Sequence, residues 1–272
     1  MDEGADLAVI SGSGKLPLLI KKSYKKALSI TFTDLKETTE DKVVKFDFEK
    51  LGFLFDFLKK NNVRRIVMAG AISRPEFDQS NLDEYTLSIM PKLSAKLIQG
   101  DNELLTFIAD EFEKKGYQII GASEILPNLI LRPGFVCGTP YEFFTRDIKK
   151  ADKILKLLSP EDIGQSVVIE NGLVLGIETL QGTNELLRCV TRTSAHLRKA
   201  NQGGVFVKRP KINQDLRFDM PVIGPETINL ACEAGLRGLV VSPLSVIILD
   251  KESCVKVAEA NNFFILAEET IN

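Results

Sequence analysis

Between Val207 and Pro221 the chain reads VKRPKINQDLRFDMP, which crowds Lys208, Arg209, Lys211, Asp215, Arg217 and Asp219 into one short stretch. Taken as extended, QDLRFDM puts Asp215, Arg217 and Asp219 on one face and Leu216, Phe218 and Met220 on the other. That is an acid–base–acid row backed by an apolar anchor. At about 3.3 Å per residue the two aspartates would lie roughly 13 Å apart, too far to share one metal ion in a straight strand. The economical chemistry is a single aspartate at a reaction centre with Arg217 on a phosphate. Pro210 and Pro221 set the limits of the segment. The competing reading is a solvated edge strand kept soluble by alternating charge.

Other anion-accepting candidates sit where apolar runs meet helix-like ones. In LAVISGSGKLP, Gly12, Ser13 and Gly14 leave a strand and enter a helix, where unpaired N–H groups and a positive dipole end favour phosphate. A Walker A loop fails, because it needs glycine at position 9 and Ser or Thr at 16, and Val9 and Leu16 stand there. A dinucleotide fingerprint is half met: Asp34 fits the ribose-binding acid, but Pro17 replaces the third small residue. The same turn could also merely link strand to helix. MAGAISRP offers Arg74, and QGDNELL offers Asp101 and Asn102 at a helix start, where Asp101 also suits a plain N-cap. In GIETLQGTNELL, Glu178 is expected to face outward from a hairpin arm, and Gln181, Gly182 and Thr183 enter a helix. Gln214 and Asp215 open the charged row. The one histidine, His196, lies among Lys and Arg as a solvated residue, and covalent nucleophile chemistry has little to work with. Oxygen ligands, lysines and arginines suit a hard cation and a phosphoryl group.

The elements that must position these residues alternate. LAVI, LSITFT, RRIVMAG and YQIIGA read as buried strands, separated by amphipathic helices, which predicts right-handed parallel β-α-β units. The rhythm breaks at LRPGFVCGTPYEFFT. Beyond a helix over 143–158, SVVIENGLVLGIE carries apolar arms around Asn171–Gly172, a strong hairpin signal, so antiparallel pairing enters there. Expected domains are 1–132, Rossmann-like and nucleotide-binding, a connection over 133–145, and a C-terminal α/β domain over 146–272. In 272 residues, 44% are hydrophobic, 26% charged, and the net charge is −2, which argues against general attraction to nucleic acid. Four scattered cysteines without CxxC spacing imply neither a disulfide nor a zinc framework. No apolar run is long enough to span a bilayer, and MDEGAD is acidic where a signal peptide is basic. A cytoplasmic protein is expected, with peripheral contact with a membrane compatible with the same features.

ISGSGKLP, VMAGAISRP, GDNELL, DIGQSVVIENGLVLGIET, GTNELL, GGVFVKRPK and QDLRFDMPVIGPETI together resemble the UDP-2,3-diacylglucosamine pyrophosphatases of lipid A biosynthesis, the LpxI-type family. The resemblance covers nearly the whole chain in family order. It implies two α/β domains, the first with a largely parallel sheet and the second mixed, with the active site between them. It also implies Mg²⁺-dependent hydrolysis of UDP-2,3-diacylglucosamine to UMP and diacylglucosamine 1-phosphate. The family's essential aspartate falls on Asp219, as metal ligand or water-positioning group, with Arg217 and Lys208 on phosphate oxygens. The expected partners are this lipid nucleotide, the inner membrane by peripheral contact and a second copy in a homodimer. Where the family carries acids, Gln181, Asn184 and Ser242 stand here. The alternatives are an NAD(P)-dependent oxidoreductase and a non-catalytic nucleotide-sugar or lipid-binding module.

Overall fold

The computed structural model describes residues 5–33, 43–72, 74, 75, 77–139, 142, 144–198 and 203–270. The chain forms two compact units, Met1–Pro127 with Asp215–Asp219, and Asn128–Gln214 with Met220–Asn272.

The first unit runs β1 (Leu7–Ser11), α1 (Lys15–Ser23), β2 (Leu28–Thr31), β3 (Val43–Lys45), α2 (Leu51–Lys60), β4 (Arg65–Ala69), α3 (Glu84–Gln99), α4 (Asp101–Lys114), β5 (Gln118–Ile119) and α5 (Ala122–Ile125). Its sheet has the order β3-β2-β1-β4-β5, and every pairing is parallel. All five residues of LAVIS in β1 are buried, as a central parallel strand covered on both faces requires. α2 presents Leu51, Leu54, Phe55 and Leu58 to the core. There Phe55 meets Tyr85 and Phe112 edge-on, with ring centroids 5.1 and 5.3 Å apart. Asp34, the expected ribose-binding acid, lies outside the described residues.

The second unit runs β6 (Gly134–Cys137), α6 (Phe144–Leu158), β7 (Ser166–Glu170), β8 (Leu173–Ile177), α7 (Gly182–Thr191), β9 (Val205–Lys208), β10 (Val222–Ile223), α8 (Pro225–Glu233), β11 (Gly238–Val241), β12 (Ile247–Ile248), α9 (Lys251–Ala260) and β13 (Phe264–Ala267). Its main sheet, β6-β13-β11-β9-β7-β8, is mixed, and β10 and β12 form a separate pair. β9, β11 and β13 run parallel, whereas β6 and the β7–β8 hairpin pair antiparallel. Asn171 and Gly172 turn that hairpin at φ 50° and 78°, the positive values a tight primed turn needs. One sheet face, through Val167, Ile169, Val205 and Val207, packs on Phe144, Ile148, Ala151 and Leu155 of α6. The other, through Val168, Phe206, Leu239 and Ile265, packs on α7, α8 and α9.

Three expectations are altered. Residues 134–137, read as part of a connection, are the strand β6; a strand this short, broken by glycines on either side, gives no period to read. Residues 216–218 form a turn rather than an extended row, closed by Phe218 and Asp219 amides donating to the Asp215 carbonyl at 3.3 and 3.1 Å. The reason is local: Asp215 binds both the Arg217 amide and its guanidinium, an Asx-type arrangement that competes with strand pairing. Finally, five residues of the C-terminal half belong to the first unit, where Phe218 packs against the core formed by Leu54, Phe55, Ile66 and Phe112.

Candidate functional site

Past Ser11 and Ala69 the parallel ladder of β1 and β4 gives way to a single antiparallel bridge between Ser13 and Ala71, so the two glycine turns at their carboxyl ends meet. Gly12 N–H donates to the Ala69 carbonyl at 2.8 Å, and Ser13 and Ala71 exchange backbone bonds of 2.8 and 3.1 Å. The Ser13 hydroxyl also donates to the Ala71 carbonyl, at 3.2 Å. Close approach explains the glycines: a Cβ on Gly12 would stand 2.4 Å from the Ala71 oxygen, and one on Gly70 2.5 Å from the Ser13 oxygen. The Gly12 and Ser13 amides are therefore spent on this zipper. What faces outward for an anion is the first turn of α1 after Gly14, with Lys15 and Leu16 supplying N–H groups and Pro17 none.

Arg74 and Asp101 do come together. The Arg74 guanidinium donates to Asp101 Oδ1 at 2.6 and 3.2 Å, both side chains being more than half exposed. Asp101 is the first residue of α4, behind Gly100 as cap, rather than the N-cap itself. Beside it Asn102 Oδ1 is buried without a hydrogen-bond partner among the described residues.

Within the same unit, Arg217 is clamped by two carboxylates. Its Nε and Nη2 donate to Asp215 at 3.0 and 2.7 Å, and Nη1 donates to Glu113 of α4 at 2.5 Å. Burial would raise the Asp215 carboxyl, but Arg217 outweighs it and holds it below the ordinary carboxylate range. Hydrogen bonding to Asp215, above all, pushes the Arg217 guanidinium further up. Asp219 follows directly, half-buried, with its amide fixed on the Asp215 carbonyl.

In the second unit, the carboxyl end of β9 places Lys208 opposite Ser166 of β7, and the Glu178 amide donates to the Ser166 carbonyl at 2.9 Å. These side chains close into one network. Lys208 Nζ donates to Thr183 Oγ1 at 2.8 Å and to Glu178 Oε2 at 3.2 Å. Thr183 in turn donates to Glu178 Oε1 at 2.9 Å, and the Ser166 hydroxyl donates to Glu178 Oε2. Glu178, expected outward, is buried, because Lys208 and two hydroxyls satisfy its charge there. Burial pushes its carboxyl up, yet Lys208 chiefly, with Ser166 and Thr183, brings it below the usual range. Gly182 starts α7, its φ of 82° making the turn, with Thr183 next to it, and Gln181 accepts from the Thr179 hydroxyl. Gln214 is buried, its Oε1 accepting from the Lys211 amide at 2.8 Å.

The predicted residues thus fall into two sets. Gly12, Ser13, Gly14, Arg74, Asp101, Asn102, Asp215, Arg217 and Asp219 belong to the first unit, and Gln181, Gly182, Thr183, Lys208 and Gln214 to the second. Glu113 and Ser166 were not foreseen; they lie far along the sequence from the residues they hold, in ordinary helix and strand patterns. His196 is exposed in a single 3₁₀ turn. A cavity of about 980 Å³ in the first unit, lined in part by Asp6, Tyr24, Arg64 and Lys115, lies at the amino ends of the strands, away from every predicted residue.

Among the described residues, no three His, Cys, Asp or Glu side chains converge as a metal cage, and Asp215 is occupied by Arg217. That donor set fits Mg²⁺ only in its usual form at phosphates, held by one carboxylate with the remaining ligands from phosphate and water.

A parallel sheet with a nucleotide-type strand order and a mixed α/β unit, each with basic and helix-terminal groups at carboxyl strand ends, define a two-unit α/β protein. Residues 6–129 match the LpxI N-terminal domain and residues 134–266 the LpxI C-terminal domain. The chain belongs to the LpxI family. It is similar to a protein of Caulobacter vibrioides named UDP-2,3-diacylglucosamine pyrophosphatase LpxI, 32% identical over 272 residues, with 96% of each chain covered.

Proposed function

We propose that this chain hydrolyses the pyrophosphate bond of UDP-2,3-diacylglucosamine, giving UMP and 2,3-diacylglucosamine 1-phosphate. The observation that carries this reading is the similarity along 96% of both chains to a protein of that name. The sequence around Asp219 agrees with it, as does a first unit with a nucleotide-type strand order.

Water adds to one phosphorus, and the bridging oxygen leaves with the other. The barrier is charge: two phosphates repel the nucleophile until cations neutralise them. Asp219 is the residue to orient that water or to hold the Mg²⁺, which supplies charge neutralisation on the diphosphate when bound. Arg217, fixed by Asp215 and Glu113 and still 41% exposed, is pre-positioned to meet phosphate oxygens. Lys208 is enclosed, so it suits holding Thr183 and the start of α7 towards an anion better than touching a phosphate itself. Arg74 with the first turn of α4, and the start of α1 after Gly14, would grip the nucleotide portion.

The test is product formation from UDP-2,3-diacylglucosamine, read by mass spectrometry as UMP and the lipid monophosphate. EDTA should arrest it and Mg²⁺ restore it. Asp219→Ala should lower turnover by about 10³-fold or more while substrate binding persists. Undiminished hydrolysis in that variant would remove Asp219 from the mechanism.

A further inference from the structure

The two sides of α6 have opposite chemistry. Phe144, Ile148, Ala151 and Leu155 face the sheet, and both of its acids are buried: Asp152 pairs with Arg209 at 2.9 Å, and Asp147 accepts from the Gly172 amide at 2.8 Å. Left outside are Arg146, Lys149, Lys150, Lys153 and Lys156, all exposed. At about 100° per residue these five cations and Leu157 fall within an arc of roughly 120°. No acid interrupts them; Glu142 and Glu161 lie beyond the two ends of the helix. Such a stripe does not follow from overall basicity, since the chain carries a net −2.

Apolar side chains border the stripe. Leu157 lies on it and is 67% exposed, and Ile163, just past the helix, is also exposed. Val174 is exposed as well; its cross-strand partner Ile169 lies beneath α6, so Val174 shares that face of the sheet. Lys150 Nζ donates to the Gly172 carbonyl at 2.5 Å, which pins the hairpin tip beside the helix.

We propose that this face of the second unit, α6 with the edge of the β7–β8 hairpin, docks on an anionic lipid bilayer. Cations in one plane gain from a surface of anionic headgroups, and exposed aliphatic side chains alongside them gain from the headgroup–acyl boundary. Duplex nucleic acid would use the cations and leave Leu157, Ile163 and Val174 in water. Single strands would want exposed aromatic rings for stacking, and the helix's Phe144 is buried. The proposal goes beyond the hydrolysis and does not depend on it.

The experiment is sedimentation of the full chain with vesicles of phosphatidylcholine alone, or of phosphatidylcholine with about one-third phosphatidylglycerol. Binding is expected only to the anionic vesicles and should fall with added salt. Each lysine near such a surface accounts for about fivefold in partitioning, so Lys149→Gln with Lys153→Gln should weaken binding about 25-fold, and the double Glu variant further. Lys150 is left in place because of its bond to Gly172. Leu157→Ser should weaken binding several-fold at unchanged charge. Hydrolysis of detergent-dispersed substrate should be the same in every variant, which separates a failure of docking from a failure of the reaction. The proposal is overturned if the chain stays in the supernatant with anionic vesicles, or if the double variants sediment like the parent. It is also overturned if duplex DNA binds as tightly as the vesicles and Leu157→Ser has no effect.

Discussion

Lys208→Met is the most informative single change, because it removes one charge from a network whose members are nearly all enclosed. The Lys208 and Glu178 side chains are only 4% and 9% exposed, so solvent screening does little for either. Deleting one partner of such a pair costs about 3–5 kcal/mol, since the remaining carboxylate is left uncompensated among Ser166 and Thr183. For a protein of this size that lowers the thermal midpoint by about 6–20 °C. The pH dependence distinguishes this account from simple loss of packing. In the parent, the Glu178 carboxyl is held below its unfolded value. Its contribution is therefore present above the unfolded carboxylate range and is lost as pH falls through the folded value. With Lys208 gone, burial is opposed only by the Ser166 and Thr183 hydroxyls and should push the same carboxyl up, so the variant should regain stability as pH falls, opposite to the parent. Urea titrations at neutral and mildly acidic pH measure both slopes. Glu178→Gln combined with Lys208→Met should be less damaging than the sum of the single changes, by about 2 kcal/mol. Parallel pH slopes for parent and Lys208→Met, with additive single effects, would refute the charge pairing.

Further expectations concern both units. Gly70→Ala sets a Cβ 2.5 Å from the Ser13 oxygen at a φ of 86°, and should cost about 1–3 kcal/mol in urea unfolding. Phe218→Ala removes the apolar anchor of the 215–219 turn; it should cost about 1–3 kcal/mol and reduce turnover by more than that loss explains. Arg74→Ala breaks an exposed pair, so stability should change by less than about 1 kcal/mol, while KM for the lipid nucleotide rises. Of the four thiols, exposed Cys189 should react first with iodoacetamide, read by peptide mass spectrometry. Burial pushes Cys232 up to about 11 and Cys254 up to about 12 and makes both slow.

Much of the architecture is legible because strong local signals carry it. LAVI and IVMA are uninterrupted apolar runs of the kind a strand buried on both faces needs, and Asn171–Gly172 fixes a hairpin by its own backbone preferences. What cannot be read is decided by distant residues. That Gly12 and Gly70 face each other depends on β1 and β4 being neighbours, so a turn that looks open to phosphate proves to be half closed by its own carbonyls. Alternation in QDLRFDM promised a strand, but a side chain bonding its own backbone two residues on prevailed, as short-range polar contacts do where no partner strand is available. Glu178 could not be placed from its neighbours in sequence, since the lysine that allows its burial comes thirty residues later. The stripe on α6 is written plainly in KKADKILKLL, yet its meaning depends on the two acids turning inward.

The first unit is completed by five residues that the ribosome delivers late. About ninety residues separate Pro127 from Asp215, and at roughly 5–20 residues per second that is a wait on the order of ten seconds. During it, the seat of Phe218 on the core that includes Leu54 and Phe112 stands open. A gene cut after the first parallel sheet therefore yields an unplugged protein, prone to capture by chaperones and to self-association, whereas the same fragment supplied with a peptide covering 214–220 should recover its compactness.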